Sequence, residues 1–370
     1  MMKGVYMKVL YLTNIPSPYR VDFFNELGKL CDLTVLFERK NAESRNIDWL
    51  KGRITHFSAI FLRGIKIGDD TAICFDILKY LSMNAFDEII VGGFSTPTGM
   101  MAIEYLSCRG IPFILNADGG IVKNEGKAKH AIKRHFIRKA SKWLSTGKMT
   151  DSYLLHNGAF AEKIFRYKFT SLWGKEILNK PLTEKEKASA KEQLSISEPK
   201  MILSVGRFIY SKGYDILMTA LQHLDRTTGV YIIGGTPTPE LIQIKKDLSL
   251  ENVHFIDHLP KTRLIDWYCA ADLFVLPTRS DVWGLVINEA MAAGLPIITT
   301  FMCVAGVELI EDGENGFLVD VDDAEMLAEK IDLILSNQKL MQRMSSNNLE
   351  KIKYYTIEQM ALSHYEILRM

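Results

Sequence analysis

Two cations and two carboxylates carry the first chemical signal. In SVGRFIYSKGYDILMTAL, residues 204–221, a short apolar run ends at Val205 and is followed by Gly206 and Arg207, then by Lys212 and Gly213. Glycines allow close backbone approach, and two cations in one loop suit a diphosphate. Two solvated cations beside an ordinary turn would leave the same trace. In SDVWGLVINEAMAAGLPIITT, residues 280–300, Asp281 precedes a predicted helix, LVINEAMAA, and Glu289 lies inside it. Gly284 stands at its start and Gly294 closes it. A helix start offers unpaired N–H groups and the positive end of a dipole to a phosphate. An ionised carboxylate accepts two hydrogen bonds, so Glu289 matches the vicinal hydroxyls of a ribose, and Asp281 is placed to reach a sugar hydroxyl. Together the four side chains describe a nucleotide-sugar, with the diphosphate between the acids. The plain alternative for Glu289 is a charge on a helix face. Its neighbours Ile287, Ala290, Met291 and Ala293 predict a largely buried helix, however, where an acid needs a partner.

Two further aspartate motifs need a reading. Asp118 in NADGG, 116–120, stands at the carboxyl end of a predicted strand, with Gly119 and Gly120 allowing close approach. It is the acceptor-side candidate, and an Asx turn is the alternative. Asp320-Val321-Asp322 has the DxD spacing of a divalent-metal site. Aspartate so often fills turns and helix caps that a structural role is expected there, and no metal. No GxGxxG follows the first strand, which argues against a dehydrogenase.

These residues must be positioned by strands and helices. KVLYLT (8–13), DLTVLFE (32–38), DEIIVGG (87–93) and PFILNADGG (112–120) read as strands, with helices predicted over 19–30 and 96–110 between them. The pattern restarts at residue 201 with MILSVGR, GVYIIGG, NVHFID, DLFVLP and PIITT. Strands alternating with helices predict parallel sheets covered on both faces. Two such domains are expected: residues 1–175 and 201–345, a charged linker over 176–200, and a C-terminal helix over 346–370 returning to the first domain. Thr183 with Glu186 is a capping-box pattern that opens a helix in the linker. Open α/β sheets bind ligands at the carboxyl ends of their strands, where all the candidate residues fall.

Composition bounds the partners. The 370 residues are 47% hydrophobic and 24% charged, ordinary for a globular protein. Five scattered cysteines without ligand spacing predict buried thiols in a reducing compartment. No apolar run reaches the length of a membrane span, and the start reads as a strand, not a signal peptide, so a cytoplasmic protein is expected. The net charge is +1, but the first half is strongly basic. Its segment VKNEGKAKHAIKRHFIRKASKWL, 122–144, holds eight Lys and Arg against one acid. Ile132, Phe136, Ala140, Trp143 and Leu144 can form one helical stripe, so 123–142 is a candidate for an anionic membrane surface. A domain helix with solvated cations is the alternative, and no nucleic-acid motif accompanies the charge.

In order along the chain, GRFIYSKGYD, IIGGTP, ADLFVLPTRSDVWGLVINEAMAAGLPIITT and ELIEDGENGFLVDVDD resemble the donor-binding domain of family 4 retaining glycosyltransferases. In the first half, IPSPYR and NADGG are similar to bacterial surface-polysaccharide members. The resemblance implies an α/β protein with the GT-B fold, two Rossmann-like parallel-sheet domains facing across a cleft. The family's signature is two glutamates separated by seven residues, and this chain has Asp281 in the first place and Glu289 in the second. The resemblance further implies that Arg207 and Lys212 neutralise the donor diphosphate, that Glu289 binds the ribose, and that Asp281 contacts the transferred sugar. Gly206, Gly234, Gly284 and Leu285 complete the implied donor site, and Arg207, Lys212, Asp281 and Asp118 the implied catalytic set. Many members carry a glycine-rich loop after the first strand. This chain has NIPSPYR instead, which places Ser17, Tyr19 and Arg20 with Asp118 on the acceptor side. The expected activity is transfer of a hexose-type sugar, from UDP, to a glycan or lipid-linked acceptor with retention, in capsule or lipopolysaccharide biosynthesis. The nucleotide-sugar is a substrate, and neither cofactor nor metal is expected. A sugar-nucleotide epimerase of similar architecture and a non-catalytic nucleotide-sugar-binding subunit are the alternatives.

Overall fold

Short β-branched and aromatic runs become parallel strands in the two large sheets of this chain, because helices cover both faces of each and leave little need for polar alternation. The computed structural model describes residues 7–40, 53–67, 71–81 and 85–370. They divide into unit 1, Met1–Ser171 with Tyr355–Met370, and unit 2, Leu172–Tyr354.

Unit 1 runs β1 (Lys8–Thr13), α1 (Pro18–Leu27), β2 (Asp32–Phe37), β3 (Ser58–Phe61), a small antiparallel pair β4 (Ile65–Lys66) and β5 (Ala72–Ile73), then β6 (Glu88–Val91), α2 (Pro97–Cys108), β7 (Ile114–Ala117), α3 (Lys127–Ile137), β8 (Lys142–Ser145), α4 (Lys148–His156) and β9 (Ile164–Arg166). Its sheet has the order β3-β2-β1-β6-β7-β8-β9, with every pairing parallel. The direction of travel reverses between β1 and β6. Local chemistry sets the helix ends: Pro97 stands in the first turn of α2, and the Thr96 hydroxyl accepts from the Gly99 N–H.

Unit 2 runs α5 (Glu184–Gln193), β10 (Lys200–Val205), α6 (Tyr214–Ala220), β11 (Thr228–Ile233), α7 (Pro239–Asp247), β12 (Val253–Ile256), α8 (Lys261–Ala270), β13 (Leu273–Leu276), α9 (Leu285–Ala292), β14 (Ile297–Thr300), α10 (Val304–Leu309), β15 (Gly316–Val319), α11 (Ala324–Leu335) and α12 (Gln338–Ile352). The sheet order β12-β11-β10-β13-β14-β15 is all parallel and reverses between β10 and β13. That is the doubly-wound Rossmann order, whose ligands lie at the carboxyl ends beside the reversal. After α12 the chain re-enters unit 1 as α13 (Ile357–Leu368), which packs on α1 and sets the His364 ring 4.6 Å from that of Phe23.

Several expectations need correction. The expected linker, 176–200, lies inside unit 2. Its helix α5 opens on the Thr183–Glu186 capping box, and Lys187 and Lys191 fasten it to the buried Asp272. The expected helix over 346–370 is two: the end of α12, in unit 2, and α13, in unit 1. The basic stripe does not continue as one helix either, since α3 ends at Ile137 and Trp143 and Leu144 belong to β8. Residues 1–6 of the expected start lie outside the described residues. No helix among the described residues is long and apolar enough to cross a membrane.

Candidate functional site

The unit 2 candidates come together beside the strand reversal. Gly206 and Arg207 follow β10, Gly234 follows β11, and Asp281 to Leu285 follow β13. The two strand ends are packed too closely for side chains: a Cβ on Gly234 would fall 1.8 Å from the Gly206 carbonyl oxygen. Arg207 is exposed on this loop. Lys212 extends past Gly206 and reaches Asp281, its Nζ 2.5 Å from Oδ2, in a pair whose side chains are 17% and 14% exposed. Asp281 is held in turn by an isolated bridge to Cys303. Gly284 caps α9 at φ +97°, a conformation that L side chains rarely adopt, and Leu285 is the first helical residue, half-buried. Glu289 lies just over one turn inside and accepts from the Tyr268 hydroxyl at 3.0 Å. The structure thus brings Lys212, Asp281 and the start of α9 to one place and gives the Glu289 carboxylate a buried partner.

Arg279 holds the two loops together. It forks onto Asp215 (Nη1–Oδ1 2.9 Å, Nη2–Oδ2 2.6 Å) and donates from Nε to Asp322 at 2.6 Å. Its Nη1 also donates to the Tyr210 carbonyl, and its guanidinium lies 4.0 Å from the centroid of the Tyr210 ring. The backbone N–H of Arg279 and the Thr278 hydroxyl both donate to the Ser211 carbonyl at 2.7 Å. The loop carrying Lys212 is therefore stitched to the loop carrying Asp281. This gives one of the DxD residues a structural reading: Asp322 is an anchor for Arg279, while Asp323, outside the motif, caps α11.

The unit 1 candidates meet in a polar pocket of about 190 Å³ beside the other strand reversal. Ser17, Tyr19 and Arg20 reach it from the loop after β1 and the start of α1, Gly92, Gly93 and Thr96 from the β6 side, and Asp118 from the end of β7. Arg20 is 3% exposed and ion-paired to Asp118. Asn116 Nδ2 and Tyr167 Oη also donate to Asp118 Oδ1, at 2.6 and 2.7 Å. Burial raises the Tyr167 hydroxyl well above its ordinary pKa, so it remains a donor. Asp118 is thus an anchored carboxylate, not one left to a simple Asx turn. Ser17 is buried at the N-cap of α1 without using its hydroxyl as a cap.

Residues 185–351 match the family described as glycosyl transferases group 1. The matched stretch lies wholly within unit 2. This chain is also 33% identical over 174 residues to an uncharacterized glycosyltransferase of Haemophilus influenzae, covering 45% of this chain and 48% of that protein. It is 31% identical over 156 residues to LpsE of Rhizobium meliloti, a lipopolysaccharide core biosynthesis glycosyltransferase, covering 41% of this chain and 44% of that one. The matches span about half the length of these curated relatives. Along the whole chain the similarity is to solved structures. Anabaena HepE in complex with UDP superposes with a TM-score of 0.78 at 17% identity, covering 98% of this chain and 100% of that one. WaaG, a glycosyltransferase involved in lipopolysaccharide biosynthesis, gives 0.68 at 15% identity, covering 97% and 99%. At such identities the likeness is one of fold: two Rossmann-like parallel-sheet domains, the GT-B architecture.

Within unit 2, the sequence pointed to the side chains nearest the strand ends and missed those behind them. Tyr268 sits on α8 and Arg279 in the loop after β13, and neither stands out by type. Their partners, Glu289, Asp215 and Asp322, lie 21 to 64 positions away. The one available signal was the acid in a buried helix, which called for a donor.

Proposed function

We propose that the protein is a family 4 retaining glycosyltransferase that moves a hexose-type sugar from a nucleotide-sugar, with UDP as carrier, to a glycan or lipid-linked acceptor in surface-polysaccharide biosynthesis. The observation that carries the proposal is the meeting of Lys212 and Asp281 at the glycine-opened start of α9, beside the unit 2 strand reversal. The group 1 family match, the lipopolysaccharide role of LpsE, and the UDP and UDP-glucose complexes of HepE support the same class of donor and product.

In this reading the bond from the sugar's anomeric carbon to the diphosphate breaks, a bond to the oxygen of an acceptor hydroxyl forms on the same face, and the hydroxyl proton passes to the departing diphosphate. The leaving diphosphate gathers negative charge at Arg207, Lys212 and the N–H groups of Gly284 and Leu285, where preorganised positive groups lower the barrier. Asp281 contacts the transferred sugar and Glu289 the ribose. The cations stand where a metal would, so no metal or other cofactor is required. Asp118, fixed by Arg20, Tyr167 and Asn116, receives acceptor hydroxyls in the unit 1 pocket together with Ser17 and Tyr19. The protein works in the cytoplasm, on the inner face of the plasma membrane. The support for the membrane part is α3 and its C-cap Arg138, where Lys127, Arg134 and Arg138 carry no ion pair among the described residues and Ile132 is exposed between them.

Incubation with labelled UDP-sugars tests the proposal. Transfer to an acceptor, or slow hydrolysis to UDP and free sugar, is the expected outcome. Interconversion of epimers without UDP release would identify an epimerase instead, and binding without turnover a non-catalytic subunit.

A further inference from the structure

We propose that Tyr268 is a positioning residue for the nucleotide ribose, its hydroxyl holding the Glu289 carboxylate in the orientation that receives the two vicinal hydroxyls. The inference rests on the donor reading of Glu289. Tyr268 is 2% exposed near the end of α8, with its ring 5.9 Å from that of Phe274. A phenol buried so deeply must find an acceptor for its O–H. Here the acceptor is Glu289 Oε2, at 3.0 Å on the neighbouring helix α9. Burial, and then the Glu289 charge, raise the phenol well above its ordinary pKa, so it stays a neutral donor at any working pH.

A glutamate has three rotatable side-chain bonds and swings freely on a helix face. A hydrogen bond from a side chain that is itself immobile removes that freedom in advance, which lowers the ordering cost of binding. An ionised carboxylate has about four acceptor sites, so the bond from Tyr268 does not by itself fill it. The vicinal hydroxyls of a ribose supply two donors. The tyrosine touches neither sugar nor phosphate, so its effect must appear only in what Glu289 does.

That restriction makes the inference testable against a purely structural role. Binding of UDP, 2′-deoxy-UDP and 3′-deoxy-UDP would be measured by calorimetry for the parent, Tyr268→Phe, Glu289→Gln and the double variant. The parent is expected to prefer UDP over either deoxy form by roughly tenfold, the scale of one hydrogen bond to a charged group. Tyr268→Phe should narrow that preference to about threefold while leaving the affinity for the deoxy forms near that of the parent. In the Glu289→Gln background, removing the hydroxyl should narrow it no further. An unchanged preference in Tyr268→Phe, or an equal loss for all three ligands, would overturn the positioning role. A Glu289→Gln variant that keeps the parent preference would instead remove the ribose assignment itself.

Discussion

Lys212 and Asp281 are bound to each other before any donor arrives: Nζ and Oδ2 are 2.5 Å apart in a mostly buried pair. Each neutralises the other, so removing one leaves a poorly solvated charge. Lys212→Met should therefore lower the stability of unit 2 by about 2–3 kcal/mol, less than a fully buried pair would lose. The double variant Lys212→Met with Asp281→Asn should recover most of that in a urea titration. Affinity for UDP should remain at least tenfold weaker in both, because the cation proposed to face the diphosphate is gone. Recovery of UDP binding along with stability would show that Lys212 has no part in holding the donor.

Activity should survive EDTA. Asp322 is already engaged by Arg279, and its backbone sits at φ +64°, a region that strains a residue with a side chain. Asp322→Ala loses the ion pair and keeps the strain, whereas Asp322→Gly loses the pair and relieves it. The alanine variant should melt at a lower temperature than the glycine variant, the reverse of their usual ranking. Complete loss of activity on chelation, restored by Mg²⁺ or Mn²⁺, would return Asp320 and Asp322 to consideration as ligands.

Unit 1 should lose stability as the pH falls below about 6.5. His364 is fully buried against Tyr167 and Phe23, donates from Nδ1 to the Met360 carbonyl, and has no partner for Nε2 among the described residues. Burial, aided by the nearby Arg20 charge, lowers its pKa from 6.5 to about 3. Above pH 6.5 the ring is neutral in both folded and unfolded chains and contributes no slope. Between 6.5 and 3 only the unfolded chain takes up the proton, so this residue removes up to about 1.4 kcal/mol per pH unit. Urea midpoints of His364→Phe at pH 7.5, 6 and 5 should fall less steeply than those of the parent. Parallel slopes would mean that the ring titrates normally.

Anionic vesicles should bind the protein through α3, and the ion pairs decide which cations matter. Lys129 and Lys133 are paired with Glu125, and Lys139 with Glu104, while Lys127, Arg134 and Arg138 carry no such pair among the described residues. Each cation near an anionic surface contributes up to about 1 kcal/mol. Replacing Lys127, Arg134 and Arg138 by Gln should therefore abolish most flotation, and raised salt should release the parent. Replacing Lys133 and Lys139 should change little. Equal losses in the two variants would dismiss the pairing argument, and no loss in either would make α3 an ordinary solvated helix.

What could be read from the sequence was whatever depended on near neighbours. The runs that became β10 to β14 are β-rich and bounded by glycine, proline or aspartate, and Thr183 with Glu186 forms its capping box within four residues. The cations after β10 and Asp281 before α9 stand beside glycines at strand ends, where a charge and an open backbone together suit a ligand. What could not be read depended on distant partners. α5 is polar nearly all round and resembled a linker, because its attachment is two lysines reaching Asp272, some 80 residues on. Trp143 and Leu144 fell at helical spacing from Ile132 by coincidence, and a strand of only four residues leaves no alternation to contradict it. In unit 1, nothing local says that Arg20 would be buried against Asp118, almost a hundred residues later.

The return of the chain to unit 1 has a consequence for the order in which the protein acquires its shape. Unit 2 is one uninterrupted stretch, while unit 1 needs both the first 171 residues and the sixteen that follow Tyr354. At a synthesis rate of about 5–20 residues per second, the β1–β9 sheet waits roughly 10–40 s on the ribosome for α13 to emerge and cover α1. During that interval Phe23 lacks the helix that buries it, and the apolar face of α1 is open to chaperones and to other nascent chains. A helix made long after the first half therefore governs how safely that half is born.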